Sequence, residues 1–136
     1  MNTTGKKEIC NISVKIPKYM ALQNAQEELA RLSKGLGHPA RARIITMLAS
    51  RPPEDKCFCG DIVDALPLAQ STVSQHLKVL KDTGWLQGEI HGPRVCYCLV
   101  DGILDYYQWL LHKCTSMKNA TAWKMKRRRE KQDGKR

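Results

Sequence analysis

Ser71-Thr72-Val73-Ser74-Gln75-His76-Leu77-Lys78-Val79-Leu80 is a helix written on two faces. Val73, Leu77 and Leu80 recur at spacings of four and three, which line one side of a helix. Ser71, Thr72, Ser74, Gln75 and Lys78 fall on the other side. The spacing predicts a helix from about Gln70 to Thr83, ended by Gly84. Upstream, Pro67-Leu68-Ala69 makes a turn, and Asp61 caps a short helix that runs to Leu66. Two helices joined by a tight turn, the second polar on its outer face, read as a helix-turn-helix.

Downstream, Trp85–Ile90 and Arg94–Val100 read as strands joined by His91-Gly92-Pro93, a glycine-containing hairpin loop. A helix-turn-helix followed by a hairpin is a winged helix. Its second helix enters the major groove, and the hairpin touches the backbone or minor groove beside it. Before this unit lie two further helical stretches. Tyr19–Lys34 carries Leu22, Ala25, Leu29 and Leu32 on one face and is expected to stop at Gly35 and Gly37. Pro39 opens a second helix, with Ile44, Ile45 and Leu48 inward as far as Ala49. Arg51-Pro52-Pro53 breaks the chain, and Lys56-Cys57-Phe58-Cys59 suits a short extended segment. Asp101–Met117 is helical again, with a wide apolar stripe of Ile103, Leu104, Tyr107, Leu110, Leu111 and Cys114.

The expected fold class is therefore α/β mixed, mainly α: a winged helix-turn-helix with a β-hairpin wing. Residues 1–18 form an N-terminal arm, in which Ile12, Val14 and Ile16 alternate with polar residues, a short strand or no regular structure. Residues 19–117 form the DNA-binding domain, and 118–136 a basic C-terminal tail.

A chain of 136 residues suits one domain with tails. Its net charge of +10 suits a polyanionic partner. Most of that charge is local: Lys118 to Arg136 holds nine basic and two acidic residues, while residues 1–117 hold 14 and 11. The DNA expectation thus rests on the helix. Gln75 has an amide that suits adenine in the major groove. Ser71, Thr72, Ser74 and Lys78 suit phosphates or base edges, with His76 beside them and Arg94 at the wing. No apolar run approaches the ~18 residues of a membrane span, and the first twenty residues lack a signal-peptide pattern, so a cytoplasmic protein without a membrane partner is expected.

Six cysteines in a reducing compartment read as metal ligands, redox sensors or core residues rather than a disulfide framework. Four form two Cys-x-Cys pairs, Cys57/Cys59 and Cys96/Cys98. Residues i and i+2 of a strand share a face. In a winged helix the short strand before the helix pair joins the hairpin sheet, which brings 56–59 beside 96–99. Thiolates suit soft ions. Arsenic(III) and antimony(III) take three sulfurs, while zinc and cadmium take four ligands. Four cysteines satisfy either count. They also suit a structural zinc site, a thiol-oxidation sensor, or plain filling of a small sheet. Cys10 reads as an arm thiol able to reach a site across a dimer, and Cys114 as core or dimer interface. Without a Cys-x-x-Cys or a Ser/His/Asp constellation, an enzyme is not expected.

Leu36-Gly37-His38-Pro39-Ala40-Arg41, the Ser71–Leu80 stretch, Gly84-Trp85-Leu86, Gly92-Pro93-Arg94 and Tyr97 resemble the arsenic-repressor (ArsR/SmtB) family of metal-sensing bacterial repressors. The resemblance covers about residues 20–115. It implies a homodimer built on the first and last helices. It also implies binding to operator double-stranded DNA, with release when cysteines or histidines capture the effector. It tilts the effector to arsenic(III) or antimony(III), ahead of zinc or cadmium. The ligands expected are Cys57, Cys59, Cys96 and Cys98. Two departures stand out. The family's arsenic and cadmium sensors carry Cys-x-Cys-Asp, whereas Cys57-Phe58-Cys59-Gly60-Asp61 has one more residue before the aspartate. The positions matching the family's last-helix zinc site are Asp101, Ile103, Cys114 and Met117, which are not a carboxylate-histidine set.

Overall fold

A computed structural model describes residues 11–52, 57–59, 66–91, 94–116, 128–132 and 134. Its elements run α1 (Leu22–Leu36), α2 (Pro39–Ala49), β1 (Cys57–Cys59), α3 (Gln70–Asp82), β2 (Leu86–His91), β3 (Arg94–Leu99) and α4 (Ile103–Cys114). The expected short helix from Asp61 lies outside the described residues, apart from its last residue, Leu66, which is buried. Residues 128–132 of the tail are helical and exposed; the rest of the tail, apart from residue 134, lies outside the described set.

The first three helices bury most of the face that their periodicity marks. Ala25 and Leu32 of α1, Ile44, Ile45 and Leu48 of α2, and Val73, Leu77 and Leu80 of α3 enclose one core. At its centre Trp85 is fully buried. Its indole Nε1 donates to the Leu32 carbonyl at 2.7 Å, which satisfies the one polar atom of a large apolar side chain. Its ring lies 5.1 Å from that of Tyr107 on α4.

One expectation about α1 is corrected here. The helix does not stop at Gly35 but continues to Leu36, and Gly37 caps it. Gly35 serves a close approach instead. A Cβ there would lie 2.5 Å from Thr83 Oγ1 and 2.6 Å from Trp85 Cδ1. The absent side chain lets α1 sit directly on the end of α3 and on the indole.

α1 and α4 are cross-tied. The Tyr106 hydroxyl donates to Glu28 Oε1 at 3.0 Å, and Arg31 Nε pairs with Glu28 Oε2 at 2.7 Å. The Arg31 guanidinium holds the Glu28 carboxyl below its ordinary range. Burial, helped by the bond to Glu28, pushes the Tyr106 hydroxyl up to about 12. The apolar stripe of α4 is wider than one chain covers. Ile103, Tyr106 and Leu110 are buried, while Leu104 and Leu111 stay 37% and 46% exposed, with Leu22 of α1 at 40%.

The three strands form an antiparallel sheet in the order β1-β3-β2. The hairpin spans Leu86–His91 and Arg94–Leu99; Arg94 opens its strand as expected, and the other three ends shift by one residue. Among the described residues no helix is long and apolar enough to cross a membrane.

Because Trp85 fills the centre and bonds across it, Trp85→Ala is expected to cost about 3–5 kcal/mol of unfolding free energy. Urea unfolding at a fixed protein concentration measures it. A loss under about 1 kcal/mol would mean that the centre of the core lies elsewhere.

Candidate nucleic-acid interface and cysteine sheet

The N-cap of α3 is Ala69, which has no side-chain acceptor, so Ser71 and Thr72 stand inside the helix rather than at its cap. Ser71, Ser74, Gln75 and Lys78 are exposed and Thr72 is half-buried. Together they make one polar stripe over the buried Val73, Leu77 and Leu80. His76, whose place in the motif suits either a DNA contact or a packed histidine, is packed. It is only 9% exposed, and its ring centroid lies 4.4 Å from that of His38. Position 76 follows Val73 by three residues and precedes Leu80 by four, so helical geometry turns it inward. Arg94 opens β3 opposite His91, at the wing tip; its side chain lies outside the described set.

His38 caps α2, its Nδ1 accepting from the Ala40 amide at 3.0 Å, with Pro39 at the first helical position. Arg41, one turn on, donates from Nε to the Gly35 carbonyl at 2.7 Å and from Nη2 to the Lys34 carbonyl at 3.4 Å. Its Nη1 lies 3.3 Å from His76 Nδ1. Burial, then the charges of His38 and Arg41, hold the His76 imidazole below its ordinary value.

The sheet brings the two Cys-x-Cys pairs onto adjacent strands. Cys57 stands opposite Cys98, Phe58 opposite Tyr97, and Cys59 opposite Cys96. Residues directly opposite one another share a face, so positions 57, 59, 96 and 98 fall on one face by register. Neighbouring strands lie about 5 Å apart, and i and i+2 about 7 Å apart along a strand. On the other side of β3, Gln87 stands opposite Cys98 and Glu89 opposite Cys96. The side chains of Cys57 and Cys59 lie outside the described set. Among the residues that are described, no three His, Cys, Asp or Glu side chains gather as a metal site.

Cys98 is 1% exposed and Cys96 half-buried. Both are disulfide-bonded in this structure, whereas free thiols were expected in a reducing compartment. Facing strands carrying cysteines in register supply the short spacing a disulfide needs. Cys114 is half-buried on α4 and is not disulfide-bonded. Asp101 is exposed, and Met117 and Cys10 lie outside the described residues.

Gln87 carries a role that sequence reasoning missed. It is 3% exposed, and its side chain clasps the N-terminal arm: Ile12 N donates to Oε1 at 2.7 Å, and Nε2 donates to Ile12 O at 2.9 Å. Val14 N donates to Asp101 O at 2.8 Å, and Asp101 N to Ile12 O at 3.2 Å. Among the described residues of the arm, 11–18, the backbone pairs with the domain through the isolated bridge of Ser13 with Asp101. The available signal was a lone amide between Leu86 and Gly88 at the start of a strand. Arg41 was read only as part of a motif, and its contacts depend on how α1, α2 and α3 meet.

A buried helical core, an exposed polar helix and a hairpin beside it define a winged helix-turn-helix regulator. Residues 38–87 match the model of the bacterial regulatory protein arsR family. The HTH-type transcriptional regulator YgaV of Escherichia coli is 31% identical over 78 residues, 57% of this chain and 76% of that protein. The HTH-type transcriptional repressor SmtB of Mycobacterium tuberculosis is 40% identical over 70 residues, 52% of this chain and 49% of that protein. The chain spans about half to two thirds of the mycobacterial relatives it matches. A crystal structure of an ArsR family transcriptional regulator superposes with a TM-score of 0.56 at 14% identity, covering 80% of this chain and 97% of that one, a likeness of fold. The chain belongs to the arsR family of bacterial regulatory proteins, a class of transcriptional regulators and not of enzymes.

The Gln87 clasp makes a direct prediction. Gln87→Leu removes both bonds to Ile12 and is expected to cost on the order of 1–3 kcal/mol. It is also expected to speed hydrogen exchange selectively at the Ile12 and Val14 amides. Unchanged exchange at those two amides would show that the arm is held by other contacts.

Proposed function

We propose that this chain is a cytoplasmic, homodimeric transcriptional repressor that releases operator double-stranded DNA when cysteine thiolates capture a thiophilic ion, arsenic(III) or antimony(III). The observation that carries this reading is the strand register Cys57↔Cys98 and Cys59↔Cys96. It puts four sulfur-bearing positions on one face of a small sheet. Three of them, Cys96 included, suit a pyramidal three-sulfur ion, and all four suit tetrahedral zinc or cadmium.

Ser71, Thr72, Ser74, Gln75 and Lys78 present the DNA-reading stripe, with Gln75 for a base edge and the others for phosphates or bases. Arg94 adds a wing contact. His76 supports that stripe from inside. The exposed Leu22, Leu104 and Leu111 favour a second copy against α1 and α4, since together they extend an apolar stripe that one chain leaves open. Residues 118–136 add salt-sensitive phosphate attraction without sequence preference.

Release follows from linkage. If ion and operator favour different conformations of one dimer, each weakens the other by the same factor. β1 leads into the helix pair and β3 is a strand of the wing, so closing thiolates around an ion draws on both DNA-contacting elements.

A second reading has its own observation: Cys96 and Cys98 are disulfide-bonded. On that reading peroxide, not an ion, releases the operator. Both readings use the same cysteines and differ in what closes them.

The test is fluorescence anisotropy with a labelled duplex, selected from a random-sequence pool by the reduced protein. Cys96→Ser is expected to keep wild-type affinity for that duplex and to lose most of its release by arsenite. Full release from this variant would remove Cys96 from the site. Release by peroxide with metals chelated, and none by arsenite, would select the redox reading.

A further inference from the structure

The side chain of Arg41 sits where three helices meet. Its Nε and Nη2 reach the Gly35 and Lys34 carbonyls, in the last turn of α1. Carbonyls of a last turn lack helical partners and carry the negative end of the helix dipole, so a guanidinium there is held both by hydrogen bonds and by charge. The third arm, Nη1, lies 3.3 Å from Nδ1 of His76 on α3. Arginine always donates. The contact therefore needs His76 to be neutral, with Nδ1 as acceptor and the proton on Nε2. His38, the α2 cap, packs on the other ring at 4.4 Å.

We propose that Arg41 and His76 are positioning residues that fix the DNA-reading helix α3 against α1, and that protonating His76 unlatches this contact and weakens operator binding. The inference rests on the DNA reading given above and goes beyond it by naming what orients α3 and what releases it. Protonated Nδ1 has no lone pair for Arg41 and sets a second cation against the guanidinium. The ionisable groups that act on His76 are His38 and Arg41, both on the α2 side, and both oppose added positive charge. Burial opposes it as well. Because folding lowers the affinity of His76 for a proton, the latch is intact above the ordinary histidine value of 6.5 and is lost as the pH falls below it.

The sign is diagnostic. A histidine that touched DNA would bind a polyanion more tightly on protonation. The latch predicts weaker binding in acid.

The experiment measures anisotropy between pH 7.5 and 5.5 at constant ionic strength, on the reduced full chain and the duplex it selects at pH 7.5. Wild type is expected to lose affinity progressively as the pH falls. His76→Gln offers an amide oxygen to Arg41 without titrating, and is expected to bind as wild type at pH 7.5 and hold that affinity at pH 5.5. Arg41→Lys, a point charge that cannot bridge both helices, is expected to weaken binding at pH 7.5 while its thermal midpoint stays near that of His76→Gln. A flat or rising wild-type profile, or the same acid loss in His76→Gln, would overturn the latch. If wild type selects no duplex at pH 7.5, the DNA reading itself fails. If Arg41→Lys does not fold, His76→Gln decides alone.

Discussion

A slip of one residue between β1 and β3 would separate the two Cys-x-Cys pairs, because side chains alternate faces with a period of two. The observed register, Cys57 with Cys98 and Cys59 with Cys96, avoids that. Phe58 and Tyr97 form the intervening pair on the opposite face, where Tyr97 is half-buried and burial pushes its hydroxyl up. β2 continues the rows, with Gln87 beside Cys98 and Glu89 beside Cys96. Its glycine, Gly88, has a φ of +155°, and a Cβ there would lie 2.0 Å from the Cys96 carbonyl oxygen. The tight approach of β2 to β3 thus requires glycine beside the cysteine strand. Register, glycine and cysteine spacing form one constraint.

Named hydrogen bonds join the rest of the molecule to that sheet. Through Gln87 the sheet holds the arm at Ile12, and through Trp85 it holds α1 at Leu32. Lys81 at the end of α3 donates to the Gly88 carbonyl at 2.9 Å, which ties the DNA-reading helix to the wing. At its other side α3 meets α1 and α2 at the Arg41–His76 contact. A helix tied by polar contacts at both sides is open to displacement by chemistry at either. Packed cores pass between discrete arrangements rather than bending smoothly.

Much of this was legible in the sequence, because periodicity reports burial. Val73, Leu77 and Leu80 marked the inner face of α3, and Pro39 and Ala49 bounded α2. The meeting of β1 with β3 followed from the winged-helix pattern. Other features depend on tertiary geometry, which no local pattern encodes. Gly35 looked like a helix stop and is a packing contact. The motif left His76 open to a DNA contact or a packed place, and its spacing from Val73 and Leu80 turns it inward. Gln87 looked like an ordinary strand residue, since its partner Ile12 is 75 residues away. The oxidation state of Cys96 and Cys98 belongs to the chemistry of the surroundings, which spacing cannot express.

The central claim is that the paired strands form one thiolate site for a soft ion. The most direct measurement is anaerobic arsenite titration of the fully reduced chain, following thiolate–arsenic absorption and the bound stoichiometry. One arsenic per chain is expected for wild type and for Cys10→Ser/Cys114→Ser, with loss of the signal in Cys57→Ser/Cys98→Ser. Unchanged binding in Cys57→Ser/Cys98→Ser, or its loss only in Cys10→Ser/Cys114→Ser, would contradict a site on the sheet.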